Sequence, residues 1–265
     1  MRKVVLLAGS AAVVAGAAFV VGRSRGAASA GVPGVLPGAL GAWVNAYLDR
    51  RLHAAVAGLA GLGPDDDLLD VACGAGYFLT ESASHVDRVA GVDLSAPRVE
   101  IARRRLADRI AAGTAEIRQG DAGALPFEDA RFSAVTCTDA FPFFPDPDRA
   151  LAEMCRVLRP GGRAVVDVNP RIPDGTESQR MRGPGGEFRV WNDADVRRMT
   201  EAAGFADVSI THVLGTDSRV LNSLSRRLYG TDEETVVVAL KPAPVRGADD
   251  ARAEEAVAEE AVAVG

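Results

Sequence analysis

Between Trp43 and Lys241 the chain alternates short apolar, β-branched runs with longer amphipathic stretches, and no other feature restricts its fold as much. The runs are Asp67–Val71, Arg88–Val92, Ala115–Arg118, Ala134–Thr138, Arg163–Val168, Val208–His212 and Thr235–Leu240, with helical stretches expected between the first six. Strands joined through helices pair in parallel, because the crossover returns the chain to the same end of the sheet. The pattern therefore predicts an α/β fold: a mostly parallel seven-stranded sheet with helices on both faces. The link from His212 to Thr235 carries no strong helical pattern, which leaves the last strand free to return antiparallel.

In such a sheet a ligand lies beyond the carboxyl ends of the strands, where the strand order reverses. Polar residues follow the strands in just that way. The first run ends in "LLDVACGAGYF", where Gly74 and Gly76 allow a sharp turn and a close approach to backbone. The second ends at Asp93 in "VAGVDLS", the third leads to Asp121 in "QGDAGALPF", and the fourth to Asp139 in "CTDAFPFFPDP". Taken singly, an acid after a strand also reads as a solvated cap, and two glycines as an ordinary turn. Their shared order is what carries weight.

With those motifs in place, residues 65–242 resemble a class I S-adenosylmethionine-dependent methyltransferase of the small-molecule, quinone-biosynthesis type. The fold the resemblance implies is Rossmann-like, with an antiparallel last strand. It gives "LLDVACGAG" the role of cofactor loop, with Asp70 at the acidic position, Ala72 where the family has its first glycine, and Cys73, Gly74, Ala75 and Gly76 completing the turn. It places Asp93, followed by Leu94, where the family holds both ribose hydroxyls, a task suited to the paired acceptors of a carboxylate. Asp121 and Ala122 fall where the family meets the adenine. "ALAEMCRVLRPGGRAVV" matches the family's helix, turn and fifth strand, which is scaffold. A nicotinamide-dependent oxidoreductase would also use a glycine turn and an acid after the second strand, but its fingerprint wants Gly or Ala at position 79, where this chain has Leu79.

The cofactor's sulfonium supplies the driving force, so a general base is optional and catalytic residues are hard to read. After the fourth strand, where many relatives carry a Leu-His-His type stretch, this chain has Phe141, Pro142 and Phe143. Asp139 is the polar group left in that loop. It is a catalytic candidate, and a loop-capping carboxylate is its ordinary alternative. His53 lies on a helix that precedes the core, where relatives place a lid, and is the second candidate against simple packing. Trp43, Tyr47, Phe141, Phe143 and Trp191 are candidates for an apolar substrate pocket, with core packing as the alternative. The segment from Asn169 to Trp191 is too long for a bare turn and is expected to cover the site, with Arg180, Arg182 and Arg189 available to an acidic group.

The net charge of −6 provides no positive field for nucleic acid, and the Asn-Pro-Pro-Tyr type motif of amino-group methyltransferases is missing. Cys73, Cys137 and Cys155 fit neither a zinc site nor a disulfide framework, so no metal is expected and the cysteines read as packing. Residues 1–30 hold four basic and no acidic groups, and their uncharged stretch from Val4 to Gly22 is 19 residues long. That length suits a membrane anchor, with a cleaved signal peptide or a plain soluble helix as alternatives. Residues 31–64 read as linker and lid helix, and 243–265 as an acidic disordered tail. The expected function is methyl transfer to a small, hydrophobic molecule at the cytoplasmic face of a membrane, where the cofactor is made. A soluble cytoplasmic enzyme is the alternative location, and a tethered cofactor-binding interaction module without turnover is the alternative function.

Overall fold

The computed structural model describes residues 50, 52–82, 84–168, 172, 175–183, 186–214 and 233–243. Expectations for the anchor, the linker, Trp43, Tyr47 and the acidic tail fall outside these residues. Among the described residues no helix is long and apolar enough to cross a membrane.

Seven strands form one sheet: β1 (Asp67–Val71), β2 (Arg88–Asp93), β3 (Ala115–Gln119), β4 (Phe132–Cys137), β5 (Leu158–Asp167), β8 (Ala206–Leu214) and β9 (Glu233–Leu240). Their order is β3-β2-β1-β4-β5-β9-β8. The strands from β3 through β5 pair in parallel, whereas β9 runs antiparallel to both β5 and β8. The sheet is thus mostly parallel with its last strand reversed, and all seven predicted strands are present. The order reverses between β1 and β4, which puts the crevice at their carboxyl ends.

Two apolar layers bury the two faces. On one side, α1 (residues 52–60), α2 (Tyr77–Ser82) and α3 (Ala96–Arg105) pack Leu52, Val56, Phe78, Leu79, Val99 and Ala102 against Leu68, Val89 and Ala134. On the other, α5 (Pro147–Val157) and α6 (Asp193–Ala202) lay Leu151, Met154 and Val196 on Leu69, Val135 and Val166. Each such aliphatic side chain removed from water contributes about 1.5–3 kcal/mol. A short α4 (Ala107–Ala111) leads into β3.

The helices begin where side chains can satisfy their free N–H groups. Asp146 accepts from the Arg149 N–H at 3.1 Å ahead of α5, and Asn192 accepts from the Asp195 N–H at 2.8 Å ahead of α6. The end of α1 is pinned to the sheet by Arg163, which donates to the carbonyls of Ala60 and Gly61 and pairs with Asp66. That pin holds the pose of the helix that carries His53.

Two expectations are corrected. No helix separates β3 from β4. Instead, Arg156 on α5 reaches across to the carbonyls of Leu125 and Phe127, while Glu153 accepts from the Leu125 N–H, and these bonds do for that connection what a helical ladder does elsewhere. The segment after β5 also contains an unpredicted antiparallel hairpin, β6 (Gln179–Gly183) with β7 (Gly186–Val190). It packs against a 3-10 turn at Phe141–Phe143, with the rings of Phe143 and Phe188 6.1 Å apart.

Candidate active site

The turn out of β1 is built by backbone. Cys73 donates its N–H to the Val92 carbonyl at 3.0 Å, and Gly76 donates to the Cys73 carbonyl at 2.9 Å. Gly74 and Gly76 have positive φ, 54° and 77°, and so does Ala72, at 61°. The two glycines do different work. A Cβ on Gly76 would sit 3.1 Å from the Ala102 Cβ, so its smallness lets α3 approach the loop. A Cβ on Gly74 would meet nothing within 4 Å, so that residue opens onto free space and forms the floor of a cradle.

Asp93 ties this loop to the end of β2. One carboxylate oxygen accepts from the Gly74 N–H at 2.9 Å and the other from the Ser95 N–H at 2.8 Å. A carboxylate has about four acceptor positions. Two are thus spent on backbone, and one per oxygen is left for a pair of hydroxyls. Asp93 is 7% exposed, whereas the neighbouring Leu94 is 71% exposed and Tyr77 56%, leaving apolar surface beside the cradle for a flat ring to cover. The Arg105 guanidinium lies 3.8 Å over the Tyr77 ring. Gln119 fixes the Leu94 carbonyl at 3.2 Å, and Asp121 accepts from the Gly123 N–H at 2.8 Å, which keeps the acid and Ala122 at the rim.

Asp70 sits behind the loop. It is 1% exposed and accepts from the Thr136 hydroxyl at 2.8 Å. Burial pushes its carboxyl up to about 7, with the Thr136 bond opposing and the Asp93 charge adding to the rise. Direct contact between Asp70 and a ligand in the cradle is therefore not part of this geometry; its influence is through its field. Burial, with Asp70 and Asp93 nearby, likewise pushes up the Cys73 thiol, and burial with Asp70, Asp167 and Asp139 nearby does the same to Cys137. Both thiols stay protonated and serve as packing.

Asp139 follows β4 with φ of 54° and donates its N–H to Asp167, at the end of β5, at 3.1 Å. Burial raises the Asp139 carboxyl above its ordinary value, and His53 pulls it part of the way back. His53 is 8% exposed, its Nδ1 lies 2.8 Å from a Glu81 oxygen, and its ring meets Phe78 edge-on at 5.3 Å. The ends of β1, β2, β4 and β5 thus carry Asp70, Asp93, Asp139 and Asp167, a negative surround suited to a cation. Among the described residues no three His, Cys, Asp or Glu side chains are placed to share a metal ion. A nucleoside with a vicinal diol and a positive charge, as the motif resemblance implies, fits this arrangement.

The aromatic expectations divide. Phe141 is 1% and Trp191 8% exposed, their ring centres are 5.2 Å apart, and both belong to the core. Burial removes them as walls of an open pocket. Phe143, at 44% exposure, remains available beside the hairpin. Arg182 pairs with Glu187, and Arg189 donates to the Pro145 carbonyl. Sequence reasoning missed Glu81, Thr136 and Asp167. Asp167 follows the same rule that found Asp93 and Asp139, an acid at a strand's carboxyl end. Glu81 and Thr136 had no signal, since one meets its partner across 28 positions and the other across 66.

A family model described as a methyltransferase domain matches residues 69–166. The chain is 42% identical over 113 residues to the demethylmenaquinone methyltransferase of Thermus thermophilus, covering 41% of this chain and 49% of that one. Its fold is similar to the [4+2]-cyclase SpnF, with a TM-score of 0.59 and 25% identity over 73% of this chain and 80% of that one. It is also similar to the geranyl diphosphate C-methyltransferase of Streptomyces coelicolor, with a TM-score of 0.60 and 18% identity over 74% and 80% of the two chains. The chain spans a little under half the length of the curated relatives it matches.

Proposed function

We propose that this chain, whose residues 69–166 match a family model described as a methyltransferase domain, is a class I S-adenosylmethionine-dependent methyltransferase that transfers the methyl group of that cofactor to a small hydrophobic acceptor. The observation that carries the reading is Asp93: both of its oxygens are held by backbone N–H groups of the cradle, and each keeps an acceptor position for a ribose hydroxyl. Ala72, Cys73, Gly74, Ala75 and Gly76 supply the floor, Leu94 an apolar face for the adenine, and Asp121 with the backbone of Ala122 its polar edge. Asp70 contributes negative field from behind the loop. When bound, the cofactor supplies an electrophilic methyl on a positively charged sulfur. The protein's part is to hold an acceptor in line with that methyl, exclude water, and take up the proton the acceptor releases. Asp139 is assigned that last task, since burial raises its carboxyl toward the range where it can accept a proton and hold it.

A quinol-type ring is the acceptor class this reading favours. Support comes from the relative named as a demethylmenaquinone methyltransferase and from the exposed Phe143 beside the site. The uncharged stretch Val4–Gly22 is assigned as a tether that keeps the domain, residues 65–242, at the cytoplasmic face near an apolar substrate. A second reading, cofactor binding without methyl transfer, is favoured by the similarity to a protein described as a cyclase, because one fold hosts unrelated chemistries.

Calorimetric titration of the full chain with S-adenosylmethionine, with NAD as control, tests the proposal. Asp93→Ala removes two charge-assisted contacts and is expected to weaken cofactor binding at least about 100-fold. No binding to folded wild-type protein overturns the reading. Binding with no S-adenosylhomocysteine formed from any acceptor moves the weight to the second one.

A further inference from the structure

Residues 179–190, which make the hairpin of β6 and β7, carry three arginines and one glutamate in a chain whose net charge is −6. In the hairpin register Arg182 stands opposite Glu187 and pairs with it at 2.7 Å, whereas Arg180 stands opposite Arg189. Directly opposed residues project from one face with Cβ atoms about 5 Å apart, and like charges placed there destabilise a strand pair. A two-stranded hairpin has little stability to spare. A charge on an edge strand deters mispairing with other chains, but that task asks for one arginine, not for a second one facing it.

Among the described residues no carboxylate pairs with Arg180 or Arg189. Arg180 is exposed, and Arg189 donates to the neutral Pro145 carbonyl at 3.3 Å. Asp146, which follows Pro145, is committed to the Arg149 N–H, and Asp195 is paired with Arg198 at 2.8 Å. The hairpin also stands at the right end of the sheet. Phe188 seats it on the turn at Phe141–Phe143, its ring 6.1 Å from the half-exposed Phe143, and the bond to Pro145 brings the Arg189 guanidinium to that same turn. The turn follows Asp139 at the carboxyl end of β4, the end that carries the cradle.

From this placement, and resting on the methyl-transfer reading above, we infer that Arg180 and Arg189 form an oxyanion clamp and that the methyl acceptor is an aromatic ring bearing a carboxylate or phosphate group. The ring covers Phe143, and the oxygens of the acid group span the two guanidiniums, whose planar forks match paired oxygens. An anion between the arginines turns their repulsion into attraction, so acceptor binding and the order of the hairpin reinforce each other. The clamp also answers a charge problem. The acids at the strand ends suit a cationic cofactor and repel an anionic acceptor, and a fixed positive pair at the rim holds such an acceptor against that field.

The test compares two matched pairs of probes by calorimetry on the full chain at low ionic strength: gentisate against hydroquinone, and phenyl phosphate against phenol. At least one acidic probe is expected to bind about tenfold or more tightly than its neutral partner, and added salt should shrink the difference. Equal binding within both pairs, or no binding by any probe, overturns the clamp. Arg180→Glu separates this role from a structural one, since it sets an acid opposite Arg189 as Glu187 stands opposite Arg182. The variant should melt no lower than wild type and lose the preference for acidic probes. A variant that keeps the preference, or that melts well below wild type, refutes the clamp. The source of the anion is checked with vesicles. Arg180-dependent binding to phosphatidylglycerol but not phosphatidylcholine vesicles, with no preference among the probes, gives the arginines to a lipid headgroup and removes the acceptor assignment. Each comparison is run with and without S-adenosylhomocysteine, so a chain that takes no cofactor fails the methyl-transfer reading separately from the clamp.

Discussion

Asp70→Asn should make the protein more stable and its cofactor site worse. The Asp70 carboxyl is 1% exposed and is moved by burial from the usual 3.8 to about 7, whereas in the unfolded chain it titrates normally. A folded-state value above the unfolded one means that this group's contribution to stability is fully present below about pH 3.8 and is lost as pH rises through about 7. At about 1.36 kcal/mol for each tenfold difference in proton affinity, the buried charge costs about 4 kcal/mol at pH 8. Asparagine is close in shape, can still accept from the Thr136 hydroxyl, and has no charge to bury. In a chain of this size about 4 kcal/mol corresponds to a rise of about 10 °C in melting temperature. The assay is thermal unfolding of wild type and Asp70→Asn in parallel from pH 4 to pH 8. The two should nearly coincide at pH 4, separate by about 1.4 kcal/mol per pH unit between about pH 4 and pH 7, and keep a level gap above that, and the variant should bind S-adenosylmethionine more weakly at pH 8, where it lacks one negative charge behind the cradle. A gap that is independent of pH, or a variant less stable at pH 8, would refute the reasoning.

Two other outcomes follow from the same loop. Ala72 holds φ at 61°, a conformation that costs an L side chain about 1–2 kcal/mol and glycine nothing. After the extra backbone freedom of glycine in the unfolded state is deducted, Ala72→Gly should stabilise the protein by about 0.5–1 kcal/mol, read from denaturant midpoints. Cys73, Cys137 and Cys155 are all buried, with their thiols pushed up by burial, so a disulfide reagent at pH 8 should label none of them in the native protein and all three once it is unfolded.

What could be read from the sequence was what repeats locally. Runs such as "LLDV" and "AVVDV" mark strands because their neighbours in space are set by the strand's own period, and the acids at positions 70, 93, 121 and 139 stand out because they break those runs. The hairpin of β6 and β7 was missed although "GPGG" lies between its strands, because the flanking "QRMR" and "EFRV" are too charged to read as strands. Phe141 and Phe143 show the limit most clearly. They sit two residues apart in one turn, and only the packing of Trp191 over the first decides which is core and which is surface. The acid–histidine contact between Glu81 and His53 is a property of how α1 crosses α2, and no spacing encodes it.

The reversed strand has a consequence for the order in which the molecule can be made. β9 lies between β5 and β8, and it is followed at once by Lys241, which closes a backbone pair with Gly161 and Gly162 and caps the Leu158 carbonyl. During vectorial synthesis β1 through β5 emerge first and can assemble, but β5 keeps a bare edge and β8 has no partner until the last described residues leave the ribosome. The sheet is completed by insertion into a waiting slot rather than by addition at a rim. Until then a long apolar strand edge stands open, which makes the interval between β5 and β9 the period in which the nascent chain is most exposed to mispairing.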